Sequence, residues 1–253
     1  MRFASLGSGS RGNGTLVQSG ETTLLIDCGF SAREAEKRAN RLNVDLKMLT
    51  ALLITHEHSD HIGGVKVLAS KYQLPIYATP GTAGSLPNSL SKLIETINCH
   101  RPFTIGDIDI DPFPVPHDAR EPCQFVFKNG HHRLGLLTDV GSSTAVIEQQ
   151  LSGCNALMIE ANHDLTMLEQ GVYPEHLKKR VGGRWGHLNN QQSAALLEKI
   201  DTSQLQHLVA MHVSEKNNTP EKVKQLFSAV LKRGEDWIHI ADQNKGFDWK
   251  ALT

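Results

Sequence analysis

Four candidate metal ligands lie within one six-residue segment that contains three histidines and two acids, 56-HEHSDH-61. They are His56, His58, Asp60 and His61. Imidazole nitrogens and carboxylate oxygens suit zinc, manganese or iron better than calcium. A turn that only connects two elements rarely concentrates these residue types, so the segment predicts a site for divalent metal ions.

This segment lies between a short apolar run and a pair of glycines. Residues 51–54 (ALLI) are apolar and flanked by polar residues, which is typical of a buried strand. Residues 65–68 (VKVL), after Gly63 and Gly64, predict the start of a helix. We therefore expect the metal-binding residue types at the carboxyl end of a strand, where open α/β sheets commonly carry their functional groups.

The rest of the chain alternates short apolar runs with turns and helix-start signals. Strands are predicted at residues 3–6, 15–18, 23–26, 76–78, 108–110, 124–127, 134–139, 156–161 and 208–211, the last of these being the final buried strand. Helices are predicted after Ser31, near residues 90–97, at 143–151 and 190–199, and from Thr219 onwards. Because no linker, repeat or charge block marks a boundary, residues 1–253 are expected to form one domain of packed sheets covered by helices.

The composition is that of an ordinary globular protein. Of 253 residues, 39% are hydrophobic and 21% are charged, and the formal net charge is −1. A general electrostatic affinity for nucleic acid or anionic membranes is therefore not expected, and such binding requires a local basic face. The amino terminus does not resemble a signal peptide, and no apolar run approaches the roughly 20 residues that span a bilayer. We expect a cytoplasmic protein without membrane contacts, with four widely spaced, reduced and buried cysteines. The sequence does not predict an oligomeric state.

The segment His-x-His-x-Asp-His followed by Gly63-Gly64 resembles the signature of the metallo-β-lactamase fold, an αββα sandwich of hydrolases. That family also has an Asp after an early strand, a lone His, an Asp that ends a strand, and a final His. Matching residues occur in the same order at Asp27, His117, Asp139 and His212. The resemblance therefore extends over much of the chain.

The resemblance implies two divalent metal ions per chain, which would be zinc, manganese or iron. His56, His58 and His117 would bind one ion, Asp60, His61 and His212 the other, with Asp139 bridging both. Asp27 would orient one of these ligands through a hydrogen bond. Two ions about 3.5–4 Å apart can activate a water molecule for hydrolysis. Asp60 would accept the proton that this water gives up.

Two activities found among proteins of this fold, β-lactam hydrolysis and the redox chemistry of flavodiiron proteins, are disfavoured by the residues present. True β-lactamases usually have a cysteine at the position of Asp139, and flavodiiron proteins have a glutamate at the position of His58. A non-catalytic binding scaffold that keeps the fold is also disfavoured. Such a protein would be expected to have lost metal ligands, whereas all seven ligand positions here hold a suitable residue. Phosphodiester hydrolysis and thioester hydrolysis of the glyoxalase II type remain.

Three further features favour phosphodiesters. Glu160 ends an apolar run, His187 precedes a predicted helix, and His212 begins a His-x-Ser unit that ends at Ser214. This order is similar to that in tRNase Z-type nucleases, and the similarity implies that Glu160 and His187 together protonate the leaving oxygen. A positioned acid accelerates such a step by roughly 10²–10⁴-fold. A thiolate leaves without protonation, so thioester hydrolysis would give this pair no role.

A closer resemblance, which covers essentially the whole chain, is to the YycJ/WalJ-like group of bacterial metallohydrolases. It rests on 7-GSGSRGNGT-15, on Asp27-x-Gly29, on 186-GHLNN-190 and on 212-HVSEKNN-218. Asn189 and Val213 depart from the residues common in that group, but neither is an expected ligand. The resemblance implies a DNA exonuclease that acts from the 5′ end, with RNA or small phosphodiesters as alternative substrates.

Several residues are candidates for contact with the nucleic acid. Backbone amides of a Gly/Ser loop can cradle a phosphate, and the basic segment 177-LKKRVGGRWG-186 precedes His187. The candidates for substrate contact are Ser10, Arg11, Asn13, Arg184, Ser214 and Asn217. Trp185 is a candidate for stacking on a base, and His163 is a further candidate because it closely follows Glu160. No insertion resembles the β-CASP lid of larger nucleases, so chain ends and small substrates are as plausible as internal cleavage.

Overall fold

The structure, a computed structural model, describes all 253 residues, and its strands form two mixed sheets of seven strands each. In chain order the strands are β1 (Arg2–Gly7), β2 (Gly14–Ser19), β3 (Thr22–Ile26), β4 (Ala51–Leu53), β5 (Ile76–Ala78), β6 (Ile94–Thr96), β7 (Phe103–Ile105), β8 (Ile108–Pro114), β9 (Cys123–Lys128), β10 (Arg133–Leu137), β11 (Ala156–Glu160), β12 (His207–Met211), β13 (Ile238–Ile240) and β14 (Phe247–Ala251). The first sheet has the order β14-β1-β2-β3-β4-β5-β6, and the second has the order β13-β12-β11-β10-β9-β8-β7.

Nine α-helices connect and cover these strands. They are α1 (Ala32–Arg41), α2 (Ser59–Ile62), α3 (Val65–Tyr72), α4 (Pro80–Ala83), α5 (Ala145–Leu151), α6 (Leu165–Gln170), α7 (Glu175–Val181), α8 (Asn190–Lys199) and α9 (Pro220–Leu231). Short 3-10 turns occur at Leu46–Met48, Asn88–Leu90 and Glu235–Trp237. None of the helices has the length and apolar character that crossing a membrane requires.

Three buried clusters show how the layers pack. Successive strand residues point to opposite faces of a sheet. Leu24 and Ile26 therefore join a central cluster between the two sheets, whereas Leu25 packs beneath α1 and α3 on the outside of the first sheet. A third cluster lies between the second sheet and helices that include α8 and α9. Helix, sheet, sheet and helix thus form four layers, which confirms the αββα expectation.

The functional residue types gather at the carboxyl ends of parallel strands. β3 and β4 are parallel neighbours, and so are β10, β11 and β12. Asp27 follows β3, Asp139 follows β10 and Glu160 ends β11. Because neighbouring parallel strands end at the same edge, side chains far apart in sequence meet there. The prediction that the metal-binding types lie at a strand's carboxyl end is confirmed.

Two predictions about secondary structure were wrong. Residues 90–97 are not helical: a 3-10 turn at Asn88–Leu90 leads into β6, which pairs in parallel with the open edge of β5. This tertiary pairing outweighs a weak local helical pattern. β12 is not the final strand, because β13 pairs with it and β14 pairs with β1. β14 is half exposed and therefore lacks a continuous apolar run. All four cysteines are buried and free, as expected.

Candidate active site

Three residues of the site have strained backbones within two residues of the carboxyl end of a strand. Asp27, Asp139 and His212 have φ angles of 60°, 56° and 51°, in the left-handed region that non-glycine residues seldom occupy. Each such residue costs of order 1–3 kcal/mol and persists only where the surroundings fix it, a pattern concentrated in functional sites. Each of them thus carries its side chain on a sharp turn at the same end of the two sheets.

Three loops pack directly on one another and hold the segment of residues 56–61 in place. The backbone amide of Asn13 donates to the carbonyl of Asp60 at 2.8 Å, and the Cys28 amide donates to the carbonyl of His61 at 2.8 Å. A Cβ atom at Gly29 would overlap the backbone carbonyl of Asp60. Only glycine allows this approach, which explains the Asp27-x-Gly29 unit.

The imidazoles of His56, His58 and His117 form one group, with ligand atoms within 4.8 Å of one another. Each ring has one nitrogen bonded to an oxygen outside the group, which leaves the other nitrogen directed into it. The outside partners are the Thr55 hydroxyl for His56 Nδ1 (3.0 Å), the Asp118 carbonyl for His58 Nε2 (3.2 Å) and the Gly186 carbonyl for His117 Nδ1 (3.0 Å).

These hydrogen bonds determine which nitrogens are free to bind a cation. A carbonyl can only accept, so His58 and His117 donate from Nε2 and Nδ1, and in the neutral rings the other nitrogens carry lone pairs. Those two nitrogens, His58 Nδ1 and His117 Nε2, lie 3.3 Å apart. His56 Nε2 is buried and has no hydrogen-bond partner. Three converging lone pairs repel one another unless a cation lies between them, so the group fits a divalent metal ion.

A second group surrounds the carboxylate of Asp139. His61 Nδ1 donates to Asp27 Oδ2 at 2.8 Å, and its Nε2 lies 3.3 Å from Asp139 Oδ2 and 3.6 Å from Asp60 Oδ2. His212 Nδ1 lies 2.8 Å from Asp139 Oδ1 without forming a hydrogen bond to it. These residues also fit a divalent ion, with Asp139 between the two groups.

The electrostatics favour the metal-binding forms of Asp139 and His56. For His61, in contrast, burial lowers the pKa, but the carboxylates of Asp139 and Asp27 outweigh burial and raise it well above its ordinary value. Burial would raise the pKa of Asp139, but the nearby imidazoles of His212 and His61 outweigh it and hold that pKa well below its ordinary value. Burial, reinforced by His61, keeps the pKa of His56 well below its ordinary value. Asp139 is therefore ionised and His56 is neutral near pH 7, which are the forms that bind metal ions.

Thr55 organises both groups, although sequence analysis did not identify it. Its hydroxyl donates to Asp27 Oδ2 at 2.7 Å and lies 3.0 Å from His56 Nδ1. A hydroxyl that donates to Asp27 can still accept from His56, which fixes the His56 tautomer with Nε2 free. The only available sequence signal was its position immediately before His56.

Thr55→Val is therefore expected to weaken metal binding by about 10–100-fold, as the loss of groups that orient ligands typically does. The change preserves the size of the side chain but removes the hydroxyl. Competition with a coloured chelator would measure the effect, with Thr55→Ser as the control that retains the hydroxyl. Equal affinity in the valine and serine variants would exclude this role for the hydroxyl.

Glu160 and His187 form a hydrogen-bonded pair beside the two groups. His187 Nδ1 donates to Glu160 Oε1 at 2.8 Å, while Glu160 Oε2 accepts from the backbone amides of Val140 (3.0 Å) and Leu188 (3.1 Å). These bonds satisfy a carboxylate that is fully buried. Burial lowers the pKa of His187, but the Glu160 carboxylate outweighs burial and raises it to about 9. His187 Nε2 has no partner in the protein, and the ring lines an open cleft.

The cleft above these groups has a volume of about 290 Å³. Its floor consists of His58, Asp60, Asp139, His187 and His212. A cleft with two clusters of metal-binding side chains and a hydrogen-bonded Glu–His pair can carry out metal-assisted hydrolysis with proton transfer.

Comparisons with known proteins agree with this geometry. Residues 22–213 match the family described as Beta-lactamase superfamily domain. Exodeoxyribonuclease YycJ of Bacillus anthracis is 36% identical over 91% of this chain and 89% of its own length. Exodeoxyribonuclease WalJ of Streptococcus pneumoniae is 35% identical over 93% of this chain and 92% of its own length. Among solved structures, Zn²⁺-bound PqqB of Methylobacterium extorquens is similar to this chain over the full length of both, with a TM-score of 0.76. At 18% sequence identity, this similarity supports the fold alone.

The chain belongs to the metallo-β-lactamase superfamily. Within it, the chain belongs to the same family as YycJ and WalJ. The resemblance found in the sequence is thereby confirmed, and so is the hydrolase class that the fold implied.

In this metallo-β-lactamase-fold hydrolase, the structure separates the residues expected to contact substrate. Ser10 and Ser214 line the cleft. Arg11 is not among the lining residues, but its guanidinium pairs at 2.7 Å with Glu215, which lines the cleft. Arg184 and Trp185 are exposed, but neither is among the residues that line the cleft.

Three of the expected contacts lie in the interior instead. The Asn13 side-chain amide lies 3.3 Å from Asp60 Oδ2 and 3.0 Å from His61 Nε2, so it packs against the ligand segment. Asn217 is 1% exposed and lies outside the cleft. His163 is fully buried, with Nδ1 near the Asn162 side chain. These side chains contact protein, because the loops that carry them fold inward.

The structure also adds cleft residues that sequence analysis did not single out. Asp118 follows His117, and its carboxylate pairs with Arg180 Nε at 2.6 Å. Tyr173 and Arg180 line the cleft on and beside α7. Arg180 lies in the basic segment noted in the sequence, but nothing in the sequence distinguished it from its basic neighbours.

Proposed function

We propose that this protein is a metal-dependent DNA exonuclease that removes nucleotides from the 5′ end. The observation that carries the proposal is the 2.8 Å hydrogen bond between His187 and the buried Glu160, beside two groups of metal-binding side chains. Phosphodiesters need such a pair, because the departing alkoxide is a poor leaving group. The names of the two relatives, both exodeoxyribonucleases, support DNA as the substrate.

The ligands divide between two metal ions. In this proposal His56, His58 and His117 would hold one ion, and Asp60, His61 and His212 would hold the second, with Asp139 as a ligand of both. Each ion would be zinc, manganese or iron. When bound, such ions supply positive charge that activates water and neutralises charge developing on phosphate oxygens. Asp27 orients His61 through the 2.8 Å hydrogen bond to Nδ1.

The side chains of the protein carry the protons. His187 donates the proton on Nε2 to the leaving oxygen, and Glu160 holds the ring in the orientation that directs Nε2 into the cleft. Asp60 has 21% of its side chain exposed and lines the cleft, so its carboxylate is in place to accept a proton from the attacking water. Ser10 and Ser214 border the space that the phosphate would occupy.

Thioester hydrolysis of the glyoxalase II type accounts for the metal ligands but leaves Glu160 and His187 without a role, so we favour the phosphodiesterase. The proposal takes residues 1–253 as one catalytic domain without an inserted lid. In such a domain the cleft stays open to a chain end.

Digestion of end-labelled duplex DNA by the purified, metal-loaded protein tests the proposal. We expect stepwise loss from the 5′ end, and no digestion by the Asp60→Ala variant under the same conditions. Loss from the 3′ end would overturn the polarity. Hydrolysis of RNA or of a glutathione thioester in parallel assays, with DNA left intact, would overturn the choice of substrate.

A further inference from the structure

One wall of the cleft is apolar, in contrast to its floor. Tyr173, Leu177, Val181 and Val213 are the hydrophobic residues among those lining the cleft. Leu177 and Val181 are four residues apart on α7 and therefore lie on one face of that helix. α7 has no fully buried residue, and Leu177 and Val181 are only partly buried, so part of this apolar face is open to the cleft.

The same helix, α7, also carries an arginine that lines the cleft. Among the residues lining the cleft, Arg180 is the only lysine or arginine, whereas Asp60, Asp118, Asp139 and Glu215 are acidic. Arg180 donates from Nε to Asp118, and its two terminal nitrogens have no partner in the protein. Asp118 therefore orients the guanidinium and leaves its fork free, the part that binds phosphate oxygens best.

Neighbouring basic residues are less suited to this task. Lys178 is 17% exposed, and its ammonium group donates to the Glu169 carbonyl at 2.7 Å. Lys179 is exposed and lies outside the cleft lining. Arg180 therefore differs from Lys178 and Lys179 in its position, because its charged group faces the cleft and is free to bind a phosphate.

We propose that residues 173–181 form a nucleotide-binding wall, in which the apolar side chains contact the base and sugar of one unpaired terminal nucleotide and Arg180, oriented by Asp118, binds an adjacent phosphate. The inference rests on the proposed function and specifies its substrate. A cavity of about 290 Å³ is just below the roughly 300–1,000 Å³ typical of small-ligand pockets, which suits a single nucleotide rather than a base pair. Apolar contacts do not read base edges, so recognition is independent of sequence.

Binding of a 5′-phosphorylated single-stranded oligonucleotide to metal-loaded protein that carries His187→Ala, in which turnover is expected to be slow, tests the wall separately from hydrolysis. By fluorescence anisotropy we expect Arg180→Gln and Leu177→Ser each to weaken binding about tenfold, through loss of a charged hydrogen bond and of apolar contact respectively. The matched controls are Lys179→Gln, on the same helix, and Val172→Ser, at a side chain that is 85% exposed. We expect about threefold or less from the first and no change from the second. Equal effects of Arg180→Gln and Lys179→Gln, or of Leu177→Ser and Val172→Ser, would overturn the inference.

A second measurement addresses the requirement for an unpaired end. The metal-loaded enzyme is expected to digest a duplex with a mismatched terminal pair faster than one ending in G·C, and Leu177→Ser is expected to lose part of this preference. Equal rates on both duplexes would overturn the unpaired-end inference. Digestion of DNA with no difference between wall and control variants would leave the nuclease proposal standing and remove the wall. If only the wall variants lose binding and the wild type hydrolyses no DNA, the wall would stand and the nuclease proposal would fall.

Discussion

His187→Ala is expected to lower kcat for DNA hydrolysis by about 10²–10⁴-fold, the usual contribution of a positioned proton donor. Bound metal is expected to stay at the wild-type level, because His187 Nδ1 is engaged by Glu160 at 2.8 Å, although Asp139, Glu160, His187 and His212 also lie close enough together to hold an ion. Elemental analysis of the purified variant, together with steady-state kinetics, would measure both quantities. Loss of metal together with activity would contradict a role confined to proton donation.

The nature of the leaving group provides a sharper control for this variant. p-Nitrophenolate leaves without protonation, so hydrolysis of bis-p-nitrophenyl phosphate by His187→Ala should fall far less than hydrolysis of DNA. Glu160→Gln should show the same pattern to a smaller extent, because the amide can still accept a hydrogen bond from the ring. His131→Ala removes an exposed histidine far from the cleft and should change neither rate. Equal losses on both substrates would point to a general disturbance of the site.

Asp139→Asn is expected to remove at least half of the bound metal and to lower kcat by at least about 10³-fold, since a divalent ion supplies several kcal/mol of transition-state stabilisation. Asp139 Oδ2 faces His61 Nε2 at 3.3 Å and Oδ1 faces His212 Nδ1 at 2.8 Å. An amide places a hydrogen-bond donor where one of these oxygens was, and it is a weaker ligand than a carboxylate.

Metal analysis and thermal unfolding together would separate this effect from misfolding. Asp111→Asn is a suitable control, because Asp111 lies on β8 of the same sheet and pairs with Lys128 at 2.8 Å, away from the cleft. The control should retain wild-type metal and activity. Full metal content in Asp139→Asn would show that Asp139 does not bridge the two groups.

The sequence by itself determined the local part of the site. His56, His58, Asp60 and His61 lie within six residues after an apolar run, so chain connectivity alone brings them together at the end of a strand. The alternation and burial of the apolar runs were also sufficient to predict most of the strands and the layered architecture. Asp27 and Asp139 also end such runs, but their assignment to the site came from the resemblance to the metallo-β-lactamase fold.

Only the tertiary structure decided which side chains face the cleft. Asn13 and Asn217 carry polar groups suited to phosphate, yet both are buried against protein, whereas Arg180 lines the cleft and pairs with Asp118, 62 residues away in sequence. Likewise, residues 94–96 form a strand, despite a helical sequence pattern, because they pair with the open edge of β5. Burial and pairing of this kind depend on contacts between distant segments, and the free energy of those contacts is absent from any local stretch of sequence.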